Sequence, residues 1–333
     1  NPEGATMAGP TALKTDAGSI DVLSGARNHA ADIDLKAQDD LNVIGASIDA
    51  SNSLSAHAGR DLDVKSTTSS ASASTSGYSS SNTQIDRVAG LYVGADGKGA
   101  LIASAGNDVN LMGAVIANQG SGATALQAGH DVNLGTVTTG QASSYQGKRG
   151  NYANFSQSEE VGSLVVGNGG VSIGAKNDIN VRQGVIDGGE DGLVLIGAGN
   201  NININAGRSV TNAEEQSTGT FKKGLGLSKT TTTSYTSTQD DQAQVSTISG
   251  GLVSIAAGGQ VQSEGTQISG TDGVSISGAG GVALTEARDL HSETRTTNSK
   301  TSGLSTTGIG NSKETVTTTT ESNTAFKGLI QSG

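Results

Sequence analysis

A histidine stands beside an aspartate, directly after a glycine, in Ala128-Gly129-His130-Asp131-Val132-Asn133-Leu134, read AGHDVNL. Imidazole and carboxylate side by side are the groups of a metal site or of an acid–base pair. Three further histidines, His29, His57 and His291, and the carboxylate pairs Asp39-Asp40, Glu159-Glu160 and Asp240-Asp241 widen the choice. Each chemistry makes a demand on position. A metal needs ligands converging from several elements, and a general acid and base must face one another across a cleft. Adjacent carboxylates in a strand point to opposite faces and diverge. The elements that carry these residues therefore decide between chemistry and architecture.

The seven-residue pattern recurs. AGRDLDV spans Ala58–Val64, AGNDVNL Ala105–Leu111, AKNDINV Ala175–Val181 and AGNNINI Ala198–Ile204, with looser forms starting at Ala37, Ala257 and Ala279. Short steps of 21–23 residues between starts alternate with long steps of 47–59. A larger unit thus begins at Ala37, Ala105, Ala175 and Ala257, and eleven residues after each start comes an isoleucine, at Ile48, Ile116, Ile186 and Ile268. A fixed period of this length signals a solenoid. The short step carries no helical period. It holds three runs of alternating apolar and polar residues, such as Leu41-Asn42-Val43, Ala46-Ser47-Ile48 and Leu54-Ser55-Ala56. Period-two alternation marks strands with one buried face. Three such strands per turn, stacked on the next turn, predict an all-β parallel β-helix of about ten coils, about 50 Å long at ~4.8 Å per coil.

Composition agrees with a thin, elongated core. Of 333 residues 50 are glycine and only 2% are aromatic. A net charge of −11 speaks against a nucleic-acid partner. With no cysteine there is no disulfide, thiolate nucleophile or cysteine-held metal. No apolar run approaches the ~20 residues of a membrane-spanning helix. The expectation is a single β-helix repeat domain over residues 1–333, an internal piece of a longer protein.

The long steps carry insertions of approximately residues 65–89, 136–160, 209–244 and 288–326. Their Ser/Thr-rich alternating tracts around glycine turns, as in KTTTTSYTSTQ and ETVTTTTESNT, predict β-hairpins. Hairpins leaving one side of the rod would pair into an auxiliary antiparallel sheet.

Together, the AGxD-V-x-L repeats and inserts such as STGTFKKGLGLSKTTTTSYTS and SKTSGLSTTGIGNSKETVTTTTES resemble the hemagglutinin repeats of filamentous hemagglutinin-like exoproteins. The Thr-rich insert with its Lys-Gly-Leu turn is most similar to the C-terminal-side repeat region of contact-dependent growth inhibition effectors of the CdiA type. The resemblance covers approximately residues 17–325. It implies a right-handed β-helix exported from a Gram-negative cell through an outer-membrane two-partner secretion transporter. It also implies a surface location, action at the outer membrane of a target cell, and carriage of a C-terminal toxin. An adhesin shaft binding host glycans or protein is the alternative. The family's secretion domain and toxin segment have no counterpart in these residues.

Against that frame the His-Asp pair reads as a coil corner. Aspartates recur at Asp40, Asp61, Asp108, Asp131 and Asp178, with Asn201 in the same place. Asp and Asn share a side-chain oxygen that accepts turn N–H groups. Gly59, Gly106, Gly129 and Gly199 precede them and are expected to permit positive φ. His130 is expected to be an incidental, solvent-facing occupant, with Lys176 its shifted equivalent in one coil. Polysaccharide-cleaving β-helix enzymes place carboxylates beside aromatic platforms, and these coils almost lack aromatics, with only Tyr92 near one. Tandem calcium-repeat and phosphate-loop patterns are also missing. No catalytic, metal or cofactor site is expected.

Binding candidates fall in the inserts instead. Lys148, Arg149, Tyr152, Phe155, Phe221, Lys222 and Lys223 combine aromatic and basic character, and Leu225, Leu227, Leu304 and Ile309 put apolar groups at turns. Such residues on projecting loops suit a target-cell envelope or a surface receptor.

Overall fold

Alternation in the coil segments becomes alternating burial. In Val109–Met112 and Val132–Gly135 the first and third residues are buried and the second and fourth only partly so. The computed structural model describes residues 11–305 and 308–333, and the strands in them stack as a parallel β-helix flanked by an antiparallel sheet.

The first face of the helix is a nine-stranded parallel sheet, running from Ile20–Val22 through Leu41–Ile44, Leu62–Lys65, Val109–Met112 and Val132–Gly135 to Gly281–Thr285. Nine strands at ~4.8 Å make a stack of about 40 Å, somewhat shorter than about ten coils would give. The second and third faces join in one 14-stranded sheet, because Arg27–Ala37, Ser47–Ala58, Thr247–Ala257 and Gln267–Gly278 bend from one face into the other.

In-register pairing lines up like side chains. Leu62, Val109, Val132, Ile179, Ile202 and Val261 form one interior ladder. On the second face Ile48, Leu91, Ile116, Val165, Ile186, Ile248 and Ile268 form another. All of these are at most 2% exposed. Each such side chain taken from water contributes roughly 1.5–3 kcal/mol, so the ladders dominate the stability of the rod. Pairing also settles where repeats begin: Gly278, not Ala279, stands opposite Ala257.

Four hairpins form the eight-stranded antiparallel sheet. Hairpin I is Thr67–Thr75 with Tyr78–Arg87, and hairpin II is Val137–Gln146 with Tyr152–Val161. Hairpin III is Gly207–Lys223 with Ser228–Gln244, and hairpin IV is Ala287–Ser305 with Gly308–Phe326. Each leaves the rod where the first face would turn into the second. From the coil of Leu41–Ile44 onward plain and hairpin-bearing coils alternate, and this follows from strand width. A coil is one strand thick and a hairpin two, at the same ~4.8 Å spacing. One hairpin per two coils keeps both sheets in step; any other ratio would crowd the hairpins or part them.

Plain coils turn this corner through a left-handed residue: Gly45 (φ 57°), Gly113 (φ 57°), Gln183 (φ 50°) and Gly265 (φ 63°). The root of a hairpin crosses each corner. A Cβ at Gly45 would lie 2.9 Å from Thr67 Oγ1, and one at Gly113 or Gly265 would lie 2.6 Å from a methyl of Val137 or Ala287. At hairpin III the roles exchange. The corner carries Gln183, and the root is Gly207, where a Cβ would sit 2.4 Å from Gln183 Oε1. One small residue per crossing suffices, on either chain.

Candidate functional site

The corner that holds the His-Asp pair is a ladder of side-chain-to-backbone bonds. Asp61 Oδ1 accepts the Asp108 N–H at 3.1 Å, Asp108 Oδ1 that of Asp131 at 2.9 Å, Asp131 Oδ1 that of Asp178 at 2.9 Å, and Asp178 Oδ1 that of Asn201 at 2.8 Å. Each carboxylate ties its own coil to the next. A second donor reaches the same oxygens from the preceding residue of the next coil: Asn107 Nδ2 to Asp61 (2.8 Å), His130 Nδ1 to Asp108 (3.0 Å), Asn177 Nδ2 to Asp131 (2.8 Å) and Asn200 Nδ2 to Asp178 (2.9 Å). Arg60 does the same for Asp40, through Nε at 2.7 Å.

Two sequence expectations are corrected here. His130 is 53% exposed along its side chain, but it is not incidental. In five successive coils its position is held by Arg60, Asn107, His130, Asn177 and Asn200, which all donate N–H; the coils on either side of these, with Asp39 and Gly259 in that place, lack such a side-chain donor. The equivalent in the fourth of these coils is Asn177 itself; Lys176 occupies the level of Gly129. The glycines also have another role. None of Gly59, Gly106, Gly129 and Gly199 has positive φ. A Cβ on them would lie 1.8, 2.1, 1.9 and 2.0 Å from the carbonyl oxygen of the coil below. Close stacking, not left-handed geometry, demands glycine. Where Lys176 takes this level, its N–H bond to Ala128 O stretches to 3.3 Å, against 3.0 Å for Gly129 to Ala105 O.

The electrostatics follow from the pairing. The Asp108 hydrogen bond, and then the Asp131 charge, hold the His130 imidazolium and raise its pKa. Arg60 lowers that of Asp40, and Asp40 in turn raises that of Arg60. Asp108, His130 and Asp131 bring one ligand-type atom each within 4.8 Å of one another. Yet Asp108 Oδ1 is already bonded to the Asp131 N–H, and the same two bonds recur in coils that carry asparagine. The arrangement belongs to the corner. Among the described residues the carboxylate pairs do not face a partner across a cleft. Asp240 meets His291 and Asp241 lies 3.6 Å from Arg208, while Glu160 binds Arg182 and Glu159 points to solvent.

A second ladder escaped the sequence reading. On the outer side of the first face Asn110, Asn133, Asn180 and Asn203 stack amide on amide at 2.8–2.9 Å, below Asp63. Its signal was present as the middle letter of V-N-L and I-N-V, between two core residues.

Hairpin roots are fastened by buried polar groups. Ser66 Oγ donates to Gly113 O and accepts the Ala89 N–H, and Ser163 Oγ does likewise with Gly135 O and the Ala114 N–H. Charged groups then bind one hairpin to the next. Glu160, at the end of hairpin II, accepts from Arg182 Nε at 2.9 Å and Nη2 at 2.7 Å. It also accepts the Arg208 N–H of hairpin III at 2.7 Å. Burial pushes Glu160 up, but the bonds from Arg182 and Arg208 outweigh it and leave the carboxyl below its ordinary range. The Arg208 guanidinium donates to Arg288 O of hairpin IV at 2.6 Å.

The candidate contact residues fall in two places. Lys148 and Arg149 form the turn of hairpin II, with Arg149 at φ 63°. That turn abuts the middle of hairpin III, through Gln216 Nε2 to Gly150 O and the Thr218 N–H to Asn151 Oδ1, both 2.7 Å. Tyr152 and Phe155, three apart in one strand, lie on opposite faces. Hairpins III and IV run on beyond hairpin II by roughly 20 Å at ~3.4 Å per residue, and their ends adjoin. Ser228 pairs with Gly303, and the Leu304 N–H donates to Leu227 O at 3.0 Å. Phe221, Lys222, Lys223, Leu225, Leu227, Leu304 and Ile309 thus share one distal end. Leu225 is 108% exposed and Ile309 80%. Leu225 also sits at φ 55°, between Gly224 and Gly226, a geometry unfavourable for a side chain with a Cβ. Lys222 stands opposite Lys229, and Lys300 opposite Lys313.

Comparison with known proteins covers nearly the whole chain. A family model described as hemagglutinin repeat matches residues 24–140, 143–234 and 227–328. No curated protein and no solved structure matches.

Proposed function

Because the chain belongs to the hemagglutinin-repeat family, we propose that it is the envelope-contact region of a secreted filamentous exoprotein that carries a C-terminal toxin into neighbouring cells. The family is a secreted or cell-surface, adhesin-type repeat without enzymatic activity, and its members are generally two-partner secretion substrates. No helix among the described residues is long and apolar enough to cross a membrane. Toxin delivery rests on the likeness of the inserts to those of CdiA-type effectors.

One observation carries the contact role: the shared distal end of hairpins III and IV. Five exposed apolar side chains there stand among Lys222, Lys223, Lys229, Lys300 and Lys313, on a chain whose net charge is −11. Apolar groups at turns are costly in water unless a partner covers them. Lysines beside them suit phosphate-bearing headgroups at the surface of an outer membrane. The β-helix, with its ladders of buried aliphatics and corner bonds, serves as the stiff mount.

The test replaces Leu225, Leu227, Leu304 and Ile309 with serine in the full-length protein displayed on producer cells, then measures attachment and toxin entry separately. Toxin entry lost with attachment retained supports delivery through the tips. Attachment lost without any measurable toxin effect in the parent protein supports an adhesin shaft. Both retained would overturn the role given to the tips.

A further inference from the structure

One face of the hairpin sheet carries a feature with no part in the tip or the roots. Residues directly opposite in an antiparallel sheet share a face. Tyr78 stands opposite Tyr145, and Phe155 opposite Ser143, two residues along the same strand as Tyr145. Tyr78, Tyr145 and Phe155 therefore rise from one face, at the distal end of the two shorter hairpins. The tyrosines are 47% and 51% exposed. Small residues flank them, Ala71, Ala73 and Ser80 on one side and Ala153 and Ala213 on the other. The aromatic side chains form a ridge between two shallow grooves of about 400 and 430 Å³.

We infer that this ridge binds a neutral glycan chain. Half-exposed aromatic rings offer flat apolar faces, which match the C–H faces of a pyranose ring. Neutral donors and acceptors stand beside them in Asn82, Ser143 and Gln141, the last donating to Gln157 Oε1 at 3.1 Å. These are the groups that sugar hydroxyls require. An added peptide strand has no place here, because the strands beneath the ridge are paired on both sides and expose only side chains. An anionic ligand also lacks a free partner. Among the described residues the charged side chains lining the grooves are Glu214, Glu215 and Arg295, so acidic groups outnumber the one cation, which itself pairs with Glu293 at 3.4 Å. Three of the eight aromatic residues of the chain meet on this face, whereas the coils offer only the partly buried Tyr92.

Two of the five tyrosines of the chain stand on the ridge, so binding is measured by isothermal titration calorimetry, whose signal does not depend on the residue replaced. The 333-residue chain would be titrated with maltohexaose, chitohexaose and mannohexaose, alongside heparin and a polyproline peptide. Saturable binding of at least one neutral hexasaccharide is expected, weakened about tenfold or more by Tyr145→Ser. Tyr145→Phe keeps the ring and should bind nearly as the parent does. Tyr152→Ser, on the opposite face, should change nothing; circular dichroism checks that each variant is folded. The inference is overturned if none of the neutral hexasaccharides binds, or if Tyr152→Ser weakens binding as much as Tyr145→Ser. It is equally overturned if only heparin or the peptide depends on Tyr145. The tip substitutions leave the ridge intact, so failure of either proposal is separable from failure of the other.

Discussion

The coils and the hairpins are built at the same strand spacing, from one continuous chain, but by different physics. A coil turns every second side chain into a dry interior, where Leu, Ile and Val stack on their equivalents. The hairpin sheet has no interior. In hairpin IV the whole strand Gly308–Phe326 is exposed, and what crosses between strands is hydroxyl to hydroxyl, as in Thr230–Thr301 at 3.0 Å and Thr218–Thr233 at 3.1 Å. Such pairs contribute only about 0.2–1 kcal/mol each. The sheet is therefore held by its roots and its width, and the rod by its core. The difference explains why repeat and insert look so unlike in composition: only the rod must bury anything.

The sharpest way to break this contrast is to make the same kind of deletion in both regions. Leu111 is fully buried between Val64 and Leu134, and Leu111→Ala should cost about 3–4 kcal/mol as a cavity opens. Val316 of hairpin IV is exposed, and Val316→Ala should change stability by less than about 0.5 kcal/mol. Urea unfolding followed by far-UV circular dichroism checks both. Equal losses would mean that the hairpin sheet conceals a packed face.

The next effect concerns how coils are locked at the corner. Asp131→Ala strips the Asp178 N–H and Asn177 Nδ2 of their acceptor and should cost about 2 kcal/mol. Asp131→Asn keeps the oxygen, as Asn201 does toward the Gln260 N–H at 3.0 Å, and should cost well under half of that. If asparagine proves as damaging as alanine, charge rather than the accepting oxygen holds the corner.

The fold class was legible because a β-helix writes itself at fixed intervals: period two within strands, and 21–23 residues from the start of each plain coil to the start of the next coil. The same repetition exposed the Asp corner. What escaped was whatever depends on the neighbouring coil rather than on the local chain. Gly129 reads as a turn glycine until the carbonyl of Gly106 is seen beneath it. His130 looks incidental until its position is seen to hold an N–H donor in five successive coils. Asn133 is unremarkable until Asn110 and Asn180 lie to either side. Among the site candidates, Lys148-Arg149 and Lys222-Lys223 look alike in sequence. Unequal hairpin length separates them, and strand parity separates Tyr152 from Phe155.

Smaller effects test the seam between the two regions. Glu160 joins coil and hairpins through Arg182 and Arg208, and Glu160→Gln should cost about 1.5 kcal/mol at neutral pH. Its folded pKa is lowered, so its contribution is complete above the ordinary carboxylate range and fades as pH falls through the folded value. The gap between parent and variant should thus be widest at neutral pH and close only once the pH has fallen below the lowered folded value. A gap that persists in acid would assign the loss to packing instead.

The smallest effect expected is at His130, and its sign is opposite. Here the folded pKa is raised by Asp108 and Asp131. The stabilisation from the imidazolium is therefore complete below the ordinary histidine value of about 6.5 and is lost as pH rises through the higher folded value. His130→Asn restores the donor used in the neighbouring coils and should abolish that slope while moving Tm by no more than about 2 °C. His130→Leu removes the donor at every pH and should lower Tm throughout, without a slope. A pH slope that survives in the asparagine variant would place the titrating group elsewhere on the rod. If the leucine variant melts with the parent on both sides of neutrality, the donor at this corner carries no stability, and the Asp-to-backbone bonds alone join the coils.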